Sequence, residues 1–474
     1  MRSFSFFTPA GRRLRALLVL TGAVAAVVSA ASVPTSQARP KDERLNVVVI
    51  LSDDERTDGT SVMTNVQKLL ADHGVTFTDY HVTSSLCGPS RASILSGQYS
   101  HHTGVYDNFG SHSVNAFNAQ STLATWLHGA GYQTALVGKY INAFSTWGHH
   151  TIPPGWDDWQ ALDSVPMEAY YNYTLNENGT LVHFGHRPSD YSTNVLTQKA
   201  VDFIHGARKP FFLYYAPVAP HLPAIPAKQD QGKLENIAPL NSPAFNQRNV
   251  GKEPWRFWHK DMLKVAAQLY INHVRIRQLE SLLAIDRGVK RIVAELKARH
   301  ELDHTVIVYT SDNGFLWGEH RLGGKIWPYQ ESTNVPLIVR APWMTHGTTN
   351  TEPVLNVDLA PTISGIAGVT PGIPEDGQSF LPMLHGSVIP TWRKSFLVEF
   401  LGKSKLPNGP PPYIAVQSKQ FLYVNYFNGW RELYNLKRDP WELDNVAESP
   451  GYQATDQSLG LLVHQLYAAP ATKP

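Results

Sequence analysis

The run Leu45-Asn46-Val47-Val48-Val49-Ile50-Leu51 is continuously apolar but for one residue, and Ser52-Asp53-Asp54 follows almost at once. Such a run reads as a strand buried on both faces of a mostly parallel sheet. Three other segments share the pattern: Gln133–Val137 before Lys139, Pro210–Tyr215 before His221, and Thr305–Tyr309 before Asp312-Asn313. Open α/β sheets bind ligands beyond the carboxyl ends of their strands, so these four ends would gather carboxylates, an amide, a lysine and an imidazole in one cleft. Asp261–Glu301 is helical in composition and would cover one face of the sheet. The expectation is an α/β protein, a three-layer α/β/α sandwich with a mostly parallel central sheet. Tyr413–Phe427 suggests antiparallel strands in a smaller C-terminal subdomain. The expected division is 39–385 for the larger domain and 386–474 for the smaller one.

Residues 1–38 read as an export signal, in which Arg12, Arg13 and Arg15 precede an apolar run from Ala16 to Ala31 and small residues follow. That run is short for a membrane span, so no stable membrane insertion is expected after its removal. Arg12-Arg13 fits the twin-arginine route, and the Ala- and Arg-rich leader suggests a bacterial exported, periplasmic or cell-surface protein. The formal charge of +2 falls to about −2 without the leader's four arginines, which argues against a nucleic-acid partner.

Cys87 is the only cysteine, so it forms no internal disulfide. It opens Cys87-Gly88-Pro89-Ser90-Arg91-Ala92-Ser93-Ile94-Leu95-Ser96-Gly97. Pro89 suits a first helical turn, which places Cys87 at a helix N-terminus, where free N–H groups and the dipole favour anions. A lone thiol is otherwise a small buried apolar residue. The adjacent carboxylates Asp53 and Asp54 repel each other and call for a positive partner, naturally a hard cation with oxygen ligands. Alone, that pair serves equally as a solvated, helix-capping loop, and Ser311-Asp312-Asn313-Gly314 reads as a turn. Together they supply two pairs of oxygen-bearing side chains at one sheet edge.

The Cys-x-Pro-Ser-Arg run resembles the sulfatase signature, departing only in Ser96 for a threonine. In that family the cysteine is oxidised to formylglycine by a generating enzyme, which is therefore an implied maturation partner. The resemblance implies one Ca2+ (or Mg2+) held by Asp53, Asp54, Asp312, Asn313 and residue 87. It also implies catalytic roles for Cys87, Arg91, Lys139, His221 and Lys325. Gly138-Lys139-Tyr140 matches an active-site lysine, but the histidine many members carry two positions later is Ile141 here, followed by Asn142. This form, with Pro153-Pro154-Gly155-Trp156, is similar to N-acetylglucosamine-6-sulfatases and heparan endosulfatases. Pro220-His221 matches the family histidine that protonates the leaving alcohol, and Lys325 the lysine that holds sulfate. His320 fits a common family pattern, or simply orders its loop. The likeness continues through Asn356–Thr362 and Glu432–Leu436 with Asp439-Pro440.

The implied activity is sulfuric ester hydrolysis. The hydrated formylglycine offers two hydroxyls on one carbon, one to attack sulfur and one to release sulfate by collapse to the aldehyde. The cation, Arg91, Lys139 and Lys325 would stabilise the oxygens on which charge accumulates. A phosphate or phosphonate ester hydrolase with the same nucleophile is the alternative, and a non-catalytic binder of sulfated glycans a third. The aromatic segment Trp147, Trp156, Trp159, Tyr170, Tyr171 and Tyr173 offers faces that could stack on sugar rings, although aromatic residues more often form core. The subfamily resemblance points to a sulfated glucosamine.

Overall fold

The computed structural model describes residues 43–144, 151–163, 169–208, 210–255, 261–404 and 409–471. The expected export signal and Trp147 lie outside the described residues. Among the described residues come β1 (Asn46–Ser52) and β2 (Gly74–Phe77), followed by helix α1 (Cys87–Ser96) and β3 (Gln133–Gly138). A meander of β4 (Asp158–Leu162), β5 (Tyr173–Glu177) and β6 (Thr180–Phe184) precedes α2 (Ser192–Gly206) and β7 (Phe211–Ala216). The long helix α3 (Val265–Ala298) leads into β8 (Thr305–Ser311), β9 (Leu337–Arg340), β10 (Thr348–Asn350) and α4 (Leu359–Ala367). Four strands, β11 (Ser395–Phe400), β12 (Tyr413–Ser418), β13 (Phe421–Tyr426) and β14 (Arg431–Asn435), then precede α5 (Gln453–Tyr467).

The main sheet has ten strands in the order β10-β2-β9-β8-β1-β7-β3-β4-β5-β6. Its centre, β8-β1-β7-β3-β4, is parallel throughout. Antiparallel pairings β9–β8, β9–β2, β4–β5 and β5–β6 flank it. Alternation along each strand splits the core in two. Val47, Val49, Leu136, Phe212 and Val308 face α1 and α4. Val48, Ile50, Val137, Leu213 and Ile307 face α2 and α3 through Leu196, Phe203, Ile285 and Ile292. This is the three-layer α/β/α arrangement expected, with helices covering both faces of a parallel sheet. The helix expected from Asp261 starts at Val265.

The second sheet is antiparallel in the order β11-β12-β13-β14. One face, with Leu397, Ile414, Val416 and Leu433, packs on α5. The other, with Phe396, Val398, Ala415 and Val424, shares a core with Leu86, Trp255, Leu316 and Trp327. That shared core holds the second sheet against the loops at the carboxyl end of β8.

Candidate active site

Each strand end delivers its side chain through a backbone bond to a neighbour. Asp53 N donates to Ala219 O at 3.1 Å, Asp312 N to Ser52 O at 3.2 Å, and Lys139 N to Ala216 O at 2.8 Å. Gly138, with φ of 120°, must be glycine, because a Cβ there would lie 2.1 Å from Ala216 O. The close approach lets β3 end against β7 and turns Lys139 into the site. Cys87 is the first residue of α1, whose Gly88 N–H donates to Asn108 Oδ1 at 2.7 Å.

The site residues read from the sequence converge here. Arg91 Nε donates to Asp312 Oδ2 at 2.7 Å, and its Nη2 lies 3.4 Å from Asp53 Oδ2. Lys139 Nζ bonds Asp53 Oδ2 at 2.5 Å, and Lys325 Nζ bonds Asp54 Oδ1 and contacts Cys87 Sγ at 2.7 Å. Asp54 N donates to Asp312 Oδ1 at 3.1 Å, and Asn313 Nδ2 to Asp54 Oδ1 at 2.7 Å. Cys87 Sγ is 3.5 Å from Asp53 Oδ1, and His221 Nε2 is 3.7 Å from Asp54 Oδ2. Tyr170 Oη donates to His221 O at 2.7 Å and fixes the histidine's backbone.

Three carboxylates thus meet three cationic side chains in a largely buried site. Burial alone would raise Asp53, but Lys139, His221, Arg91 and Lys325 hold its carboxyl well below the usual range. Burial and the neighbouring charge of Asp53 push Asp312 up. Burial likewise pushes the Cys87 thiol up, against the pull of Lys139 and Lys325. An unmodified thiol at this position stays protonated and is a poor nucleophile.

The oxygen donors Asp53, Asp54, Asp312 and Asn313 are at most 2% exposed, and Asn313 Oδ1 has no hydrogen-bond partner. All are hard oxygen ligands at one sheet edge, a set that fits a calcium-type cation.

Asp54, His221 and Lys325 face a cavity of about 400 Å³, with Leu86, Asp107, Asn108, Phe109, Phe315, Phe400 and Lys403 among its walls. Cys87, Asp53, Arg91 and Lys139 lie buried behind that first layer. Asp107, Asn108, Phe109, Phe400 and Lys403 were not legible as site residues, since they come from loops and a strand end without a shared motif. Asn108 carries one detectable cue, its place just beyond the short helix Ser100–Thr103 that follows α1. The aromatic platform expected after Lys139 is corrected: Trp156, Trp159, Tyr170 and Tyr173 are core residues at most 8% exposed. Neither they nor Tyr171 line the cavity. Ile141 packs in the same core as Trp156 and Trp159, and Asn142 is buried off the cavity lining. His320 is fully buried outside the cavity, its Nδ1 3.0 Å from Gln247 Oε1.

Residues 45–369 match the family model described as sulfatase, and residues 318–468 match one described as N-sulphoglucosamine sulphohydrolase, C-terminal. The chain is 34% identical to N-acetylglucosamine-6-sulfatase of Capra hircus over 463 residues, covering 87% of this chain and 82% of that protein. A solved structure described as a complex with its substrate D-glucosamine-2-N,6-O-disulfate superposes with a TM-score of 0.78 and 26% identity. That alignment covers 89% of this chain and 97% of the other. The phosphonate monoester hydrolase of Agrobacterium radiobacter shares the fold at a TM-score of 0.73 and 21% identity, over 90% and 96% of the two chains. The match to the sulfatase model spans most of the chain, and a sulfatase one-third identical aligns along nearly all of it. The chain therefore belongs to the sulfatase family and is a sulfuric ester hydrolase.

Proposed function

We propose that the enzyme removes sulfate from the 6-position of a glucosamine-type sugar, using formylglycine made from Cys87 by a generating enzyme and one Ca2+. The observation that carries this reading is the contact of Lys325 Nζ with both Asp54 and Cys87 Sγ at the cavity floor. It supports reading Lys325 as the sulfate-binding cation, Asp54 as a metal ligand and Cys87 as the residue to be modified, since one ammonium touches both side chains. The substrate follows from the likeness to N-acetylglucosamine-6-sulfatases and from the glucosamine disulfate held by the structural relative.

When present, the formylglycine hydrate supplies the nucleophilic hydroxyl and the calcium polarises the sulfate oxygens. Asp53, Asp54, Asp312 and Asn313 would hold the cation, with residue 87 as the remaining ligand; Mg2+ is the alternative ion. The three carboxylates are already balanced by Arg91, Lys139 and Lys325. A divalent ion therefore leaves the site net positive, suited to a monoanionic sulfate ester. Lys139 and Lys325 place positive charge where the transferring group becomes more negative. His221, partly exposed in the cavity, is placed to give a proton to the departing sugar oxygen. The apolar walls Leu86, Phe109, Phe315 and Phe400 suit the faces of a sugar ring, with Asp107, Asn108 and Lys403 as polar partners.

The basic and apolar composition of residues 1–38 supports export from a bacterial cell. Among the described residues no helix is long and apolar enough to cross a membrane.

The test is a panel of glucosamine 6-sulfate, sugars sulfated elsewhere, an aryl sulfate and an aryl phosphonate monoester. The 6-sulfated glucosamine should give the highest kcat/KM. A higher value for the phosphonate ester overturns the reading in favour of that chemistry.

A further inference from the structure

We propose that His320, Glu331 and Glu442 form a second, structural metal site for a zinc-type divalent ion. Their ligand atoms all lie within 4.8 Å of one another. None of the three lines the cavity described above. His320 is 0% exposed and Glu442 1%. His320 Nε2, Glu331 Oε2 and Glu442 Oε1 each lack a hydrogen-bond partner. Three unpartnered polar atoms sharing one buried spot is a costly arrangement unless something positive joins them.

The tautomer of His320 decides what that something is. Gln247 Nε2 donates to Asn249 O at 2.6 Å and Leu443 O at 2.9 Å, which fixes its amide orientation. Gln247 Oε1, 3.0 Å from His320 Nδ1, is therefore an acceptor, and Nδ1 carries the proton. Stacking on Tyr329, with ring centroids 4.1 Å apart, holds the imidazole plane. Its Nε2 lone pair consequently faces two carboxylates. A proton cannot bridge His320 and Glu331 directly, because Nε2 and Glu331 Oε2 are 4.0 Å apart, beyond hydrogen-bond range. A water has two protons for three acceptors and leaves one unmet. Arg56, whose charge acts on Glu331, is engaged by Glu319 at 2.6 Å.

One imidazole and two carboxylates suit zinc, in contrast to the oxygen-only set at the active site. Tetrahedral zinc needs donor atoms about 3.4 Å apart, so each would close by less than about 1 Å. The three ligands belong to separate segments. His320 sits five residues before Lys325, Glu331 lies in the short helix Gln330–Thr333, and Glu442 follows β14. A bound ion would staple the loop that presents Lys325 to the C-terminal portion of the chain.

The experiment uses the full chain carrying Asp53→Asn and Asp54→Asn, so that the active-site carboxylates do not compete for metal. After loading with Zn2+ and gel filtration, elemental analysis should find one zinc per chain. Zn2+ should also raise the Tm. Adding Glu442→Gln, which keeps size and shape, should abolish both effects, and His320→Gln should do the same. If either variant fails to fold, the other decides, together with the Co2+-loaded parent, whose visible absorption should report a nitrogen ligand. Zinc below a tenth of an equivalent in the parent, or equal zinc in parent and Glu442→Gln, overturns the site. Protons and trapped water would then be what joins the three groups.

Discussion

Arg91 Nε and Asp312 Oδ2 are 2.7 Å apart, both fully buried, one on the helix that begins at Cys87 and the other at the end of β8. The other oxygen of Asp312 accepts Asp54 N–H. One carboxylate thus locks the helix that opens at Cys87, the β1 end and the β8 end into a single geometry. Because a buried ion pair broken on one side leaves an uncompensated charge, Asp312→Ala should lose both metal affinity and rate. The loss should exceed the roughly 10- to 100-fold that outer-shell substitutions cost. Asp312→Asn keeps the side chain's shape and one of its two acceptor oxygens but removes the charge, so it should fall between wild type and Ala. Calcium content and kcat measured on the same preparations check this. Full activity in metal-free wild type would sink the assignment.

The raised thiol of Cys87 leads to a second expectation. A protonated, fully buried thiol cannot supply the activity, so activity should track the fraction of chains carrying formylglycine at position 87. Peptide mass analysis across preparations made with and without the generating enzyme gives that fraction. Activity independent of it refutes the nucleophile. Cys87→Ser, which has one hydroxyl where the hydrate has two, should not turn over repeatedly.

The strand ends were legible because buried parallel strands need unbroken apolar runs, and an abrupt Asp-Asp, Lys or Asp-Asn after such a run has few structural uses. Cys87 was legible for a similar reason: proline and arginine around a lone thiol are difficult to explain by packing. The cavity walls were not. Asp107, Asn108, Phe109 and Lys403 reach the site by loop paths that no periodicity encodes, and Lys403 comes from beyond β11 in the second sheet. The aromatic segment misled because composition does not say which side of a strand a ring occupies. Trp159 and Tyr173 sit on β4 and β5 and point into the core. Glu442 is far from His320 and Glu331 in sequence, and no shared motif links the three, so only the fold reveals that their polar atoms meet.

Glu432 on β14 connects the second sheet to the site-bearing loops and makes stability depend on pH. Tyr329 and Tyr434 donate to its Oε2 at 2.9 Å each, and Tyr426 to its Oε1 at 3.0 Å. Burial nonetheless pushes its carboxyl up to about 7 from an ordinary 4.5, the tyrosines opposing the shift only partly. A carboxyl raised by folding contributes stability below its unfolded value and loses it as pH rises through the folded one. The loss should fall between about pH 4.5 and 8 and amount to roughly 1–3 kcal/mol for this group. Glu432→Gln should remove that component, so that its stability relative to wild type improves as pH rises across the window. Denaturant midpoints at pH 5 and pH 8 test it. An unchanged difference between the two pH values would mean that Glu432 is ionised in the fold throughout.

His221 and Lys325 both face the cavity, yet their contacts differ. His221 is about a third exposed, 3.7 Å from Asp54, and its Nδ1 lies 2.6 Å from Leu222 O, leaving Nε2 toward the site. Lys325 is tied to Asp54 and Cys87. A proton donor matters in proportion to the basicity of the leaving oxygen. His221→Ala should therefore slow hydrolysis of a sugar sulfate by about 10²- to 10⁴-fold, the usual range for general acid catalysis. An activated nitrophenyl sulfate, whose phenolate departs without help, should be far less affected. Lys325→Ala acts on sulfate charge, which both substrates share, and should slow the two by similar factors. Comparing kcat/KM for both substrates in both variants separates the roles. Equal losses for the two substrates in His221→Ala would make His221 a binding or positioning residue and move the search for the acid to other groups along the cavity wall.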